Sequence, residues 1–140
     1  MRVGTFLHGD RQSWSLIEDG RVVDLQPLLS AAGMPAAEDL RGFLTQGGSA
    51  GHIADALRRV DRERFTLPRA DVRLLAPLPN PSKIVCMGLN FEDYRQILGL
   101  EYLAVPQLFL KAPSAIIGPD AAIEIPQGTD RSSMSSRSAR

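Results

Sequence analysis

One cysteine, two histidines and one tryptophan occur in 140 residues, and each scarcity closes a class of explanation. The single cysteine, Cys86, excludes an internal disulfide; lying inside an apolar run with no identifiable base beside it, it reads as a packing residue rather than a nucleophile. His8 and His52 are far apart, have no ligand spacing with carboxylates, and are expected on the surface or in turns. Neither sign of charge is in excess: 16 basic and 16 acidic residues give a formal net charge of zero, so nothing draws the chain toward nucleic acid or an anionic membrane. No apolar run approaches the roughly 18 residues of a membrane span, and residues 1–10 carry no cleavable leader pattern. A cytoplasmic location, with no nucleic-acid or membrane partner, is the expectation.

The first half of the chain has the patterning of a small α/β unit. Residues 3–7, 14–17 and 22–25 are strand-like and are joined by His8-Gly9-Asp10 and Glu18-Asp19-Gly20, so the simplest arrangement is a three-stranded antiparallel meander. Short helices are expected at 27–32 and 39–44. The best helix is expected at 53–64, with Ile53, Leu57 and Val60 on one face and Arg58, Arg59, Asp61, Arg62 and Glu63 turned to water. Residues 71–75 return as a strand, and Ala76-Pro77-Leu78-Pro79-Asn80-Pro81 reads as a stiff linker.

The second half is denser in apolar residues. Residues 84–87 are an apolar stretch of the length of a strand buried on both faces, ended by Gly88. Asn90 is a good N-cap for a helix at 91–98, where Glu92 and Asp93 suit the dipole, Phe91, Tyr94, Ile97 and Leu98 form one stripe, and Gly99 stops the helix. Leu108, Phe109 and Leu110 form a second buried strand ending on Lys111. Residues 122–125 alternate weakly like a third strand.

At these residues the chain resembles the fumarylacetoacetate hydrolase family. The resemblance lies in the apolar strand into Gly88-Leu89-Asn90-Phe91, the helix, Leu108-Phe109-Leu110-Lys111, Pro113-Ser114-Ala115, Gly118-Pro119, and Ile125-Pro126-Gln127-Gly128. It covers about residues 77–129, and 1–75 resemble more weakly the small N-terminal domain of many bacterial members. The resemblance implies an α+β chain, with a small N-terminal α/β domain at 1–76 and the first strands and helix of an incomplete mixed β-barrel or β-roll catalytic domain at 82–130; composition marks a proline-rich linker at 77–81 and a disordered tail at 131–140. It also implies Mg or Mn as cofactor, a homo-oligomer, and cleavage or isomerisation of carbon-carbon bonds next to a ketone in small dicarbonyl or 2-oxo acids, as in aromatic breakdown.

By the same resemblance Lys111 and Asn90 would contact substrate. Tyr94 stands at the position where many members carry a catalytic His, and Ile97 where they carry its Glu partner; isoleucine cannot move a proton. Ser114 resembles a pocket-edge residue but has no identifiable base. The family's Glu-x-Glu metal ligands and later Asp have no counterpart, and no acidic residue follows Asp130. Hard divalent cations need several oxygen ligands. No metal is therefore expected to bind, and an inactive fragment is the leading expectation; a non-catalytic interaction or self-association module is the alternative.

The tail supports that expectation. Residues 131–140 hold five Ser and three Arg and cannot continue a barrel strand. Permitted codons for residues 132–137, read one base earlier, give Val-Asp-Glu-Phe-Glu, which suits a frameshift; truncation or an intended tail remains open.

Overall fold

The computed structural model of the chain describes residues 1–102, 104–125 and 127–128. The readings placed on Pro126, Thr129 and residues 130–140 lie outside these.

The N-terminal part is built on two tight hairpins. β1 (Val3–His8) and β2 (Arg11–Glu18) pair antiparallel from Val3 opposite Leu16 to His8 opposite Arg11, leaving Gly9 and Asp10 as the whole loop. β2 and β3 (Arg21–Asp24) close on Asp19 and Gly20 in the same way. Gly9 at φ 57° and Gly20 at φ 76° supply the left-handed backbone that such loops demand. The expected meander is therefore present, and the sheet is wider than expected. β4 (Thr66–Pro68) adds beside β3 and β5 (Arg73–Leu74) beside β1, giving the order β4-β3-β2-β1-β5 with every pair antiparallel. The strand expected at 71–75 shrinks to two residues because Arg69–Asp71 coils into a 3-10 turn.

Three helices cover one face of this sheet. α1 (Leu25–Ala31) begins where a strand end was expected: Leu25 is helical, and Pro27 is tolerated in the first turn, whose N–H groups have no intrahelical acceptor. Asp24 stands at its N-cap yet makes no capping bond, because its buried carboxylate accepts instead from Ser13 Oγ and from Arg11, both at 2.7 Å. α2 (Leu40–Thr45) is capped by Asp39, which accepts from Gly42 N at 2.6 Å. α3 runs Ala50–Arg59, earlier than the 53–64 expected, because Ser49 and His52 form a reciprocal capping box at its start. Val60 leaves the helix in extended backbone, and Asp61 accepts from Glu63 N to start a separate 3-10 turn, Arg62–Phe65. That break carries Arg62 back to Glu18 at 3.0 Å, so Arg62 is an ion-pair partner of the sheet rather than a purely solvated residue.

Period-2 alternation sorts the core. Trp14, Leu16 and Val23 face the helices and pack with Leu25, Leu28, Leu29, Leu40, Phe43, Ile53 and Ala56; Phe6, Val22 and Val72 form a smaller cluster with Ile17, Leu67 and Leu74. The Trp14 and Phe43 rings lie 4.8 Å apart, and the indole N–H donates to Ala37 O at 3.1 Å. The proline-rich segment is docked rather than free. Thr5 Oγ1 donates to Pro77 O at 2.9 Å, Asn80 Nδ2 to Asp39 at 3.2 Å, and Arg41 to Asn80 O at 3.0 Å.

Residues 84–111 form a second sheet of two strands. β6 (Ile84–Gly88) pairs antiparallel with β7 (Gln107–Lys111), and α4 (Glu92–Ile97) lies in the connection. β6, expected to be buried on both faces, alternates between half-buried and exposed; β7, a buried strand in a complete catalytic domain but expected to be exposed if that domain is cut after its first strands, is exposed throughout, Leu110 at 70%. A two-stranded sheet has no second layer to hide against, so apolar composition alone does not secure burial. The third strand expected at 122–125 does not form.

Candidate functional site

The turn after β6 carries the local peculiarities of this half. Leu89 sits at φ 50°, a left-handed conformation that costs a non-glycine residue about 1–2 kcal/mol. The turn redirects the chain into α4 within three residues. Asn90, expected as the N-cap, lies one position before it; Phe91 holds that position without a side-chain cap. Glu92 and Asp93 fill the first turn as the dipole favours. Gly99, at φ 64°, ends the helix as expected: Gly99 N donates to Gln96 O and Leu100 N to Arg95 O, both at 3.0 Å, the paired bonds of a Schellman stop.

A concavity of about 70 Å³ opens beside this turn, bounded by Met87, Gly88, Leu89 and Asn90 on one side and by Arg95, Tyr102, Pro106 and Gln107 on the other. Its charged group is Arg95, half-buried, whose guanidinium carbon lies 4.9 Å from the centroid of the Tyr102 ring. Stacking on an aromatic face orients the planar fork. Asn90 and Arg95 together offer amide and guanidinium donors to a small anion, enough to bind and orient a carboxylate. The lining contains no carboxylate, histidine or thiol to transfer a proton.

The expected site residues are not gathered here. Of Asn90, Tyr94 and Lys111, only Asn90 lines the concavity. Tyr94 is 54% exposed on α4. Lys111 pairs with Ile84 at the far end of the sheet, four positions from the Gly88 and Gln107 pair, or roughly 13 Å at 3.3 Å per residue; its ammonium lies 5.6 Å over the Phe109 ring. Ser114 sits in the 3-10 turn Pro113–Ala115, and Ile97 is 79% exposed. Cys86 is half-buried opposite Phe109, consistent with packing. His8 is exposed at a strand end, whereas His52 is committed to its capping box. Arg95 and Tyr102 carried no sequence signal, because their pairing joins a helix to a loop.

Among the described residues no group of three or more His, Cys, Asp or Glu is placed to hold a metal ion. Close to the concavity Glu92 accepts from Gln96 within its own helix. The described residues therefore do not supply the carboxylate set that a hard divalent cation such as Mg requires. Other hollows lie elsewhere among the described residues. One of about 60 Å³ lies under Phe43 and His52, and one of about 310 Å³ lies between Arg69, Arg73 and residues 118–121, where Gly118 approaches Leu74 O closely enough that a Cβ would stand 3.2 Å from it.

The fold is mixed α+β with antiparallel sheets, and it is shared with a solved structure from Mycobacterium smegmatis named as an HpcE protein: 23% identity, TM-score 0.64, covering 91% of this chain and 42% of that one. No family profile matches the chain. Among curated relatives, the mitochondrial oxaloacetate tautomerase fahd2 of Xenopus laevis is 32% identical over 131 residues, 91% of this chain and 39% of the relative. Fumarylacetoacetate hydrolase domain-containing protein 2 of Pongo abelii is 32% identical over 84 residues, 60% of this chain and 26% of the relative. The chain belongs to the fumarylacetoacetate hydrolase family, and it spans about two fifths or less of the length of these relatives. No helix among the described residues is long and apolar enough to cross a membrane.

Proposed function

We propose that the chain carries the opening portion of a fumarylacetoacetate hydrolase-like enzyme acting on small 2-oxo or dicarbonyl acids, by tautomerisation, hydrolysis or decarboxylation, of the kind found in aromatic breakdown. Residues 1–76 are the small N-terminal domain, 77–81 the connection, 82–130 the start of an incomplete mixed β-barrel or β-roll, and 131–140 a tail. The observation that carries this reading is the alignment of 91% of the chain with an oxaloacetate tautomerase. In the family Mg or Mn would polarise the oxo group. The part left to this chain is binding: Asn90 and Arg95 receive a carboxylate, Lys111 contacts substrate only if other polypeptide brings it near, and Tyr94 can donate a hydrogen bond while Ile97, at the position of the acidic partner, cannot move a proton.

The chain by itself is accordingly inactive, and the cytoplasm is the compartment we assign, although several relatives are named mitochondrial. The test is tautomerisation of enol-oxaloacetate followed by absorbance, with and without Mg or Mn. The expected rate equals that of buffer. Turnover by the purified chain sinks the claim of inactivity, and metal-selective stabilisation would contradict the claim that the metal ligands are missing; a ligand at 100 times its Kd adds about 2.7 kcal/mol.

A second reading is a self-association module. It is favoured by the apolar tetrad Val85, Met87, Leu108 and Leu110, all exposed on one face of the two-stranded sheet.

A further inference from the structure

Pro77, Pro79 and Pro81 leave only Leu78 and Asn80 with backbone N–H groups between Ala76 and Ser82, so this segment cannot be held as a strand is held. It is held through its oxygens and one side-chain amide. Thr5 Oγ1, in β1 and 1% exposed, donates to Pro77 O at 2.9 Å. Arg41, in the first turn of α2, donates to Asn80 O at 3.0 Å, and Asn80 Nδ2 donates to Asp39 Oδ2 at 3.2 Å. Between these points Leu78 packs on the main core, and Ala76 is buried. We propose that the start of α2 is a clasp for Asn80, which makes the proline-rich segment a strap of the N-terminal unit rather than a hinge and so positions the beginning of β6.

The Asp39 carboxylate serves both sides of the clasp. Its Oδ1 accepts from Gly42 N at 2.6 Å and caps α2, while Oδ2 accepts from Asn80. A carboxylate fixed by the cap presents its second oxygen in one direction, so helix and strap are held together. Chain geometry gives the consequence. From Asn80 four residues lead to Ile84, the first of β6, and extend at most roughly 14 Å. Without the clasp and strap the last fixed point is Leu75, whose N–H donates to Thr5 O at 2.9 Å; nine residues then lead to Ile84 and extend roughly 31 Å. The volume open to the start of β6 therefore differs by roughly tenfold. β6 runs into the turn that bears Asn90, so the clasp also governs where that turn stands relative to the N-terminal unit. None of these contacts depends on what the concavity binds.

The test measures, in the full 140-residue chain, the distance distribution between nitroxides at Asp10→Cys, in the first hairpin loop, and Lys83→Cys, just before β6, both exposed. Every variant carries Cys86→Ser, and unlabelled chain is added to dilute contacts between copies. A single narrow distribution is expected. Asn80→Asp keeps the shape of the side chain but sets a second carboxylate against Asp39, and is expected at least to double the width. Adding Asp39→Asn restores an amide–carboxylate pair together with a competent cap, and is expected to return the width to its original value. Arg41→Ala, which removes only the bond to Asn80 O, is expected to broaden the distribution less than Asn80→Asp does. Trp14 fluorescence is expected to show the same core in all of them. A broad distribution in the parent, or an Asn80→Asp variant as narrow as the parent, overturns the clasp. Equal broadening with and without Asp39→Asn overturns the pairing of Asp39 with Asn80, since a general packing defect at Asn80 would not be repaired by exchanging the two groups.

Discussion

Arg95 lies over the ring of Tyr102 at 4.9 Å and so fixes a cation at the edge of the concavity that Asn90 also lines. Charge-assisted hydrogen bonds contribute about 1.5–3 kcal/mol each. In NMR titration with oxalate, a planar stand-in for the carboxyl end of a 2-oxo acid, Arg95→Ala is expected to weaken binding by about tenfold or more. Lys111→Ala, at the far end of the sheet, is expected to leave it within twofold. Equal losses would show that the concavity is not the anion seat.

The Asp24 carboxylate is the buried hub of the first sheet. Asp24→Ala strands Ser13 Oγ and removes the partner of Arg11, and the expected loss is about 2–4 kcal/mol. Arg11→Ala should cost less than Asp24→Ala, because Arg11 is half exposed and the Asp24 carboxylate keeps its hydrogen bond from Ser13. Urea unfolding followed by tryptophan fluorescence reports both, since Trp14 lies in the adjoining core.

Gly48 lies against the face of Phe43. A Cβ there would stand 2.6 Å from three of its ring atoms, and the ring also packs on Trp14, with centroids 4.8 Å apart. Gly48→Ala is expected to destabilise the N-terminal unit by about 1–3 kcal/mol and to lower Tm in a thermal melt. An unchanged Tm would mean that the ring can swing aside.

Leu89 stores backbone strain next to the concavity. Leu89→Gly is expected to relieve about 1 kcal/mol, slowing amide exchange across β6 and β7 while leaving β1 to β3 unchanged. Faster exchange in β6 would show that the leucine side chain contributes more by packing than its backbone costs.

Local chemistry was legible wherever a short segment decides its own shape. Gly9, Gly20 and Gly99 mark their turns because left-handed backbone suits glycine, and the alternation of residues 14–17 sets one face of β2 against the helices. Asn90 and Asp24 show the limit. Both are good caps by residue type; one sits a residue too early, and the other spends its carboxylate on Ser13 and Arg11, partners 11 and 13 residues away. β4, three residues long, carries no period of its own and lies along the open edge of β3, while β5 keeps only two residues of the strand expected at 71–75.

The amino-acid order by itself determined the hairpins, the helix stop after α4, the balance of charge, and the blocks from Gly88 to Lys111 that carry the family resemblance, since each depends on neighbours within a few residues. Tertiary structure alone decided that Arg95 meets Tyr102, and that Lys111 and Asn90 stand at opposite ends of one sheet. Burial and proximity are properties of whatever packs against a segment, and the segment's own sequence does not contain that layer.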